Sequence, residues 1–81
     1  MTRNVHIEYF AMLREDRGCS TETVATAAAT AGQLYDELQA RHHLRLPRAQ
    51  VRPIVNGEVT DWSRQIEDGQ TVAFLPPVAG G

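Results

Sequence analysis

The residues best suited to chemistry stand in the last segment of the sequence, FLPPVAGG (residues 74–81). Its last six members are two prolines, two small apolar residues and two glycines: Pro76, Pro77, Val78, Ala79, Gly80 and Gly81. The prolines hold the backbone extended, and the glycines, which lack Cβ, can thread a narrow channel. Six extended residues reach roughly 20 Å. We therefore expect a flexible tail, residues 76–81, that threads into another protein.

The chemical group at that end is the carboxylate of Gly81. A carboxylate is a poor electrophile until it is activated, and adenylation by ATP converts it into an acyl adenylate. A sulfur donor can then displace AMP and leave a thiocarboxylate. In this scheme the folded domain is a handle, and a partner enzyme supplies the active-site pocket and consumes the ATP.

Other catalytic or metal-binding signals are weak. Cys19 stands in a Gly-Cys-Ser turn without a partner in the sequence. His42 and His43 are adjacent on a predicted helix, where their side chains point about 100° apart and make a poor chelate. There is no glycine-rich phosphate loop. We expect that the chain binds no metal or organic cofactor and is not catalytic alone.

Composition limits the class of protein. The 81 residues allow one domain, and a hydrophobic fraction of 42% with 22% charged residues is globular. A net charge of −2 argues against nucleic acid as the main ligand. One local exception is RHHLRLPRAQVR (residues 41–52), which is either a solvated helix end or a patch for an acidic partner protein. Because no signal peptide or membrane span is visible, we expect a cytoplasmic protein.

The first half of the chain predicts two strands and a helix. VHIEYF (residues 5–10) alternates in the manner of a half-buried strand, and TETVAT (residues 21–26) is a second, weaker strand. LREDRGCS (residues 13–20) predicts the turn of a hairpin. Thr30 and Gln33 have the spacing of a capping box, and we predict one helix over residues 31–42. Its apolar stripe comprises Ala31, Leu34, Tyr35, Leu38 and His42.

The second half predicts strands separated by tight turns. Asn56-Gly57 and Asp68-Gly69 are turn signals, and Thr71 to Leu75 alternate as a last strand. Pro53 indicates that its strand is short or at an edge. The whole order predicts an α+β fold, a ubiquitin-like β-grasp roll with a mixed sheet packed on one main helix. The β-grasp domain is expected to span residues 1–75.

With these elements in place, the sequence resembles the small, sulfur-carrying (MoaD-type) subunits of molybdopterin synthase, within the ThiS/MoaD ubiquitin-like family. FLPPVAGG closely matches the C-terminal signature of that family. VHIEYFAMLRE, IVNGEV and EDGQTVAFLPP resemble its first strand, its central turn and its last strand. One difference is Leu75, where an aromatic residue is common in the family.

The resemblance implies a sulfur carrier. An E1-like, MoeB-type enzyme would adenylate Gly81, which would then become a thiocarboxylate. The tail would insert into a MoaE-type large subunit and donate sulfur to cyclic pyranopterin monophosphate, which forms the dithiolene of molybdopterin in molybdenum cofactor biosynthesis. The synthase of that family is a heterotetramer, with two small subunits at opposite ends of a large-subunit dimer.

Strand alternation also predicts a partner-binding face beside the tail. If Val72 and Phe74 face the helix, then Leu75 and Phe10 point to the other side of the sheet, and Val59 can join them. Grouped exposed apolar residues suggest an interface, unless the sheet curls and buries them in the domain's own core.

Three other functions remain open. A thiamine-type sulfur carrier and a ubiquitin-like protein modifier share the di-glycine end. The third, from another class, is a non-catalytic β-grasp interaction module with an inert tail.

Overall fold

The computed structural model describes residues 2–77 of the chain. Its elements follow one another as β1 (Arg3–Tyr9), α1 (Ala11–Arg17), β2 (Thr21–Thr26), α2 (Ala31–His42), a 3₁₀ helix (Arg48–Gln50), β3 (Arg52–Val55), β4 (Glu58–Val59) and β5 (Thr71–Leu75). Apart from α1 and the 3₁₀ helix, this is the order predicted from the sequence.

The sheet has the strand order β2-β1-β5-β3-β4. Strands β1 and β5 lie side by side at its centre and run parallel, with Ile7 opposite Val72 and Tyr9 opposite Phe74. The other neighbouring pairs are antiparallel. The first and last strands therefore form the centre of a mixed sheet, and the predicted β-grasp arrangement is confirmed.

The core lies between one face of this sheet and α2. The alternate residues of the two central strands are fully buried on that face: Val5, Ile7, Tyr9, Val72 and Phe74. The predicted stripe of α2 packs against them through Ala31, Leu34, Tyr35 and Leu38, all buried. His42, at the end of the stripe, is only partly buried. Burial of apolar surface on these two faces is the main force that holds the helix on the sheet.

The start of α2 carries the predicted cap with one difference. The Thr30 side chain accepts a hydrogen bond from the Gln33 backbone N–H at 3.2 Å. The Gln33 side chain reaches back and accepts from the Ala29 backbone N–H at 2.7 Å, one residue before the expected partner. Two backbone donors at the helix start are satisfied in this way, which places the first turn of α2.

The connection between β1 and β2 differs from the prediction. Residues 13–20 were predicted to form a simple turn, but the segment contains α1, a seven-residue helix. Leu13 is fully buried and anchors this helix to the core, and Gly18 ends it with a left-handed φ of 87°. The prediction of a turn was wrong because Leu13 is the one buried residue of α1, and a single buried residue shows no helical periodicity. The pairing of β1 with β2 is confirmed.

Pro53 does not lie on an edge strand, since β3 is between β5 and β4. The strand is short, as predicted, with four residues. The carbonyl oxygen of Pro53 accepts from the Thr60 N–H at 3.0 Å, so its backbone faces the side of β4. There β4 is only two residues long and pairs with Ile54 and Val55. The missing N–H of Pro53 therefore does not interrupt the pairing of β3 with β5.

A partly buried polar network joins α1 to the sheet. The Glu22 carboxylate accepts hydrogen bonds from the Tyr9 hydroxyl at 2.6 Å and from Arg17 Nε at 2.8 Å and Nη2 at 2.7 Å. The Arg17 bonds are the main reason that the pKa of Glu22 is lowered to about 2. Burial, reinforced by the bond to Glu22, raises the pKa of Tyr9 above its ordinary value. The ionised Glu22 is thus stabilised by the fold.

The Glu22 network makes the folding stability of the domain depend on pH. Because the folded-state pKa of Glu22 is depressed from 4.5 to about 2, its contribution is complete above pH 4.5 and is lost as the pH falls toward 2. The pKa of His42 is also lowered, mainly by burial, so its protonation opposes folding in the same direction. We expect Glu22→Gln to reduce the free energy of unfolding at pH 7 by about 2–3 kcal/mol.

Urea unfolding measured between pH 2 and pH 7 tests this prediction. Glu22→Gln is expected to flatten the loss of stability below pH 5, while Glu15→Gln, an exposed site with the same change of charge, keeps the wild-type profile. An identical pH profile for Glu22→Gln and the wild type would contradict it.

Candidate functional site

The tail leaves the domain at the end of β5. Pro76 is buried and Pro77 is exposed. The predicted boundary after Leu75 therefore puts one packed residue into the tail. Val78, Ala79, Gly80 and Gly81 lie outside the described residues, so their predicted roles in threading and in chemistry stay predictions.

The side of the sheet opposite α2 carries a row of apolar side chains next to this exit. Ile54 is directly opposite both Val59 and Ala73, and Arg52 is directly opposite Leu75, so each pair shares a face. We call this surface, formed by Arg52, Ile54, Val59, Ala73 and Leu75, the open face. Leu75 is 37% exposed and Val59 61% exposed.

Phe10 lies beside the open face. It follows the last residue of β1 and is 41% exposed. Its extended backbone (φ −125°, ψ 149°) continues the alternation of the strand, so its side chain points away from the core-facing side of Tyr9. Ala11 then takes a left-handed φ of 50°, which is unusual for a residue with a Cβ, and turns the chain into α1. All three predicted interface residues are therefore exposed, and their binding role stays a prediction.

Two apolar members of the open face, Ile54 and Ala73, were not named as interface residues from the sequence. Ile54 is half-buried between Val59 and Ala73, and Ala73 is buried because its small side chain is covered by its neighbours. The signal for Ile54 was present, since alternation from the core-facing Val55 places it on the opposite side. The signal for Ala73 was its place between Val72 and Phe74.

A cleft of about 550 Å³ opens beside the tail exit. Its walls are the 3₁₀ helix and the start of β3 on one side, Thr60 to Trp62 on another, and Leu75 to Pro77 on the third. Trp62 connects the wall of residues 60–62 to the core, because its ring centre lies 5.2 Å from that of Tyr35 and 6.1 Å from that of Phe74. The indole N–H also donates to the Arg48 carbonyl oxygen at 3.2 Å.

Arg48 connects the Trp62 side of the cleft to α2. Its guanidinium donates two hydrogen bonds to the Asp36 carboxylate, at 3.0 and 2.6 Å, and lies 5.7 Å from the centre of the Trp62 ring. Gly32 provides the space, since a Cβ there would lie only 2.9 Å from the guanidinium. The shape of the cleft beside the tail is therefore maintained by contacts within the folded domain.

The segment of residues 41–52 is not a continuous patch of free cations. Arg41 pairs with Glu37, Arg45 with Asp16, and Arg48 with Asp36. Arg45 and Arg48 connect different segments of the domain, whereas the Arg41 pair lies within α2. Arg52 is the exception, because it has no carboxylate partner among residues 2–77.

Internal chemistry is sparse in the described part of the chain. Across residues 2–77 no three His, Cys, Asp or Glu side chains are grouped in a way that could hold a metal ion. Each buried side-chain nitrogen or oxygen there has a hydrogen-bond partner. Cys19 is partly buried, and His43 is exposed at the end of α2. None of the described helices is long and apolar enough to cross a membrane.

We expect Leu75 and Phe74 to differ sharply in their effect on stability, although they are neighbours in β5. Phe74→Ala removes a fully buried ring and should cost about 3–5 kcal/mol of unfolding free energy. Leu75→Ala should cost less than about 1 kcal/mol because Leu75 is exposed on the open face. Thermal and urea unfolding of both variants measures this, and comparable losses would show that Leu75 belongs to the core.

The comparisons with known proteins agree with this geometry. The model of the ThiS family matches residues 7–81. A molybdopterin synthase sulfur carrier subunit from Mycobacterium tuberculosis is 35% identical over 80 residues, which are 95% of this chain and 96% of that protein. The subunit of the same name from Escherichia coli is 31% identical over 80 residues, or 95% of this chain and 99% of that protein.

Solved structures show the same fold. A putative molybdopterin converting factor subunit 1 from Pyrococcus furiosus superimposes with a TM-score of 0.77 at 27% identity, covering 94% of this chain and 99% of that chain. The small archaeal modifier protein SAMP1 from Haloferax volcanii superimposes with a TM-score of 0.76, also at 27% identity, over 96% of this chain and 99% of that chain. With a family match that covers nearly the whole sequence and relatives above 30% identity, the chain belongs to the ThiS family.

Proposed function

We propose that this chain is the sulfur carrier subunit of a molybdopterin synthase. The observation that carries the proposal is its identity of 35% and 31%, over nearly the full length, with two proteins of that name. The family match also includes the segment PPVAGG and extends to Gly81. The chain acts with partners and is not catalytic alone.

The proposed chemistry takes place on Gly81. Its carboxylate oxygen attacks the α-phosphorus of ATP, pyrophosphate leaves, and an acyl adenylate forms. A sulfur donor at the oxidation level of sulfide then attacks the carbonyl carbon, and AMP leaves. The product is a thiocarboxylate, one sulfur richer and one oxygen poorer than the original carboxylate. An E1-like, MoeB-type enzyme supplies the nucleotide site, and this chain needs no cofactor of its own.

In the proposal the thiocarboxylate sulfur is then donated within a MoaE-type large subunit. Each sulfur forms a bond to a side-chain carbon of cyclic pyranopterin monophosphate and displaces the oxygen substituent of that carbon. Hydrolysis of the resulting acyl–sulfur bond then returns Gly81 as a carboxylate. A dithiolene contains two sulfur atoms, so two charged carriers are used for each product. This requirement is compatible with the proposed heterotetramer, which has two small subunits. Because activation consumes ATP, we place the process in the cytoplasm.

In this reaction the role of the folded domain is to position the tail. Buried Pro76 fixes the point from which the tail departs, and Pro77 favours an extended direction. Leu75, Phe10 and Val59 offer exposed apolar area around that point. Docking of this area on the large subunit would hold the tail at the mouth of its channel. A fixed origin reduces the entropy lost when the tail enters.

A second candidate function is protein modification. Its support is the likeness to SAMP1 of Haloferax volcanii, a protein named as a modifier. An activated Gly81 would in that case form an amide with a lysine of another protein. This chain contains no lysine, so any isopeptide product must contain a different acceptor protein. Denaturing electrophoresis and peptide mass spectrometry after activation separate such products from the free thiocarboxylate. Binding to a thiazole-forming enzyme would instead identify a thiamine-type carrier.

We expect deletion of Gly80 and Gly81 to abolish thiocarboxylate formation and to leave the melting temperature unchanged. Intact-mass measurement follows the reaction with the adenylating enzyme, ATP and a sulfur donor, since exchange of oxygen for sulfur adds about 16 Da. Gly81→Ala is the matched control, because it keeps a terminal carboxylate at the same chain length.

Two results would contradict this prediction. A sulfur adduct that survives the deletion would place the reacting group elsewhere. Full biological activity of the truncated chain would favour an interaction module with an inert tail.

We expect Leu75→Ala and Phe10→Ala each to weaken binding to the large subunit. Loss of one buried apolar side chain is worth about 1.5–3 kcal/mol, which corresponds to roughly tenfold to a hundredfold in Kd. Met12→Ala is the matched control, because Met12 is also 37% exposed but lies on α1. Isothermal titration calorimetry with each variant measures the affinity. Wild-type affinity for Leu75→Ala would show that the open face is not the docking surface.

A further inference from the structure

The arginines of this chain are nearly all engaged within the domain. Five of the eight pair with carboxylates, namely Arg17, Arg41, Arg45, Arg48 and Arg64. Arg3 donates to the Ala28 carbonyl oxygen at 3.2 Å. Within residues 2–77, Arg14 and Arg52 have neither a side-chain hydrogen bond nor a carboxylate partner. These two cations are therefore the ones left available to another molecule, and they lie in different surroundings.

Arg52 lies at the border between the open face and the tail. It is the first residue of β3, it is exposed, and its Cα partner in β5 is Leu75. Its side chain also lines the cleft of about 550 Å³ with Pro76 and Pro77. A protein that covers Leu75 and takes up the tail must therefore pass over Arg52. Arg14 does not line this cleft.

The cleft does not satisfy Arg52 from its own residues. Asp61 is the one carboxylate in the described lining, and its Oδ1 already accepts from the backbone N–H of Ser63 at 2.9 Å and from the Ser63 hydroxyl. The other arginine of the lining, Arg48, is held by Asp36. Of the charged lining residues Arg48, Arg52 and Asp61, only Arg52 has no hydrogen-bonded side-chain partner in the described part of the chain. Burial of Arg52 under a partner without a counter-charge would leave an uncompensated cation.

We propose that Arg52 binds an aspartate or glutamate side chain of the protein that receives the tail, and that this contact selects the partner. The inference rests on the proposed function and adds to it one specificity-determining residue. A guanidinium can hold a carboxylate through two parallel hydrogen bonds. A partner with this acid gains the contact, and a partner without it must bury Arg52 unpaired. The acid lies at the rim of the tail channel, next to the surface that covers Leu75.

This role differs from that of the apolar open face. Leu75 contributes affinity that is insensitive to salt, whereas an ion pair at a rim is weakened by salt and mainly affects the association rate. The two contributions can therefore be separated by measuring binding at several ionic strengths.

The test uses the full chain and the molybdopterin synthase large subunit from the same organism. Kd is measured by calorimetry at 50 and 500 mM salt for the wild type, Arg52→Gln and Arg52→Glu. Arg14→Gln and Arg14→Glu are the matched controls, with the same exposed residue type and the same charge changes. Circular dichroism and melting temperature establish that each variant is folded, and intact mass establishes thiocarboxylation of the wild type.

We expect Arg52→Gln to weaken binding about three- to fivefold at low salt, as for a partly exposed ion pair, and Arg52→Glu more than about tenfold. The difference between Arg52→Gln and wild type should shrink at 500 mM salt, and the Arg14 variants should stay within about twofold. The proposal is overturned if Arg52→Gln and Arg52→Glu bind like the matched Arg14 variants. If the wild type is still thiocarboxylated and still binds the large subunit, the proposed function stands without this contact. If the wild type does neither, both the proposed function and this contact are refuted.

Discussion

The parallel pairing of β1 with β5 is the constraint on which the rest of the structure depends. It joins residues that are more than sixty positions apart in the chain, with Tyr9 opposite Phe74. On one face this register brings fully buried side chains together under α2. On the other it places Phe10 close to Leu75. The same register thus produces the core and the exposed apolar surface, and it sets the point at which the tail begins.

The tail exit is tied to the core by aromatic contacts. Phe74, one residue before Leu75, packs edge-on against Tyr35 at 5.0 Å and stacks with Trp62 at 6.1 Å. Arg48 holds the Trp62 wall to α2 through Asp36. The domain is small, and each buried side-chain nitrogen or oxygen in its described part has a hydrogen-bond partner. In a domain of this size an enclosed pocket would remove much of the core, which favours the proposed working surface at an edge and an end.

The sequence predicted the parts of the fold that depend on local pattern. Alternation identified β1 and β5, helical spacing identified α2, and Asn56-Gly57 and Gly69 do adopt the positive φ of tight turns. Helix α1 was not predictable, because Leu13 is its one buried residue and one residue cannot show helical periodicity. The Arg48–Trp62 wall was also hidden, since it joins residues that approach only after folding. Alternation predicted the exposure of Leu75, but its pairing with Arg52 required the strand register.

In the proposed function the carrier cycles between an adenylating enzyme and a synthase, so it must bind both and leave both. Very tight docking would therefore slow each cycle, because release would become the slow step. The surface beside the tail exit suits this requirement, since it offers a few exposed apolar side chains and Arg52, which has no carboxylate partner among the described residues. Apolar contacts lengthen the residence of the carrier, while charge speeds the encounter and discriminates between partners. In the proposed function the covalent chemistry belongs to the tail, so the domain would need to supply only enough affinity to place Gly81 at a partner's active site.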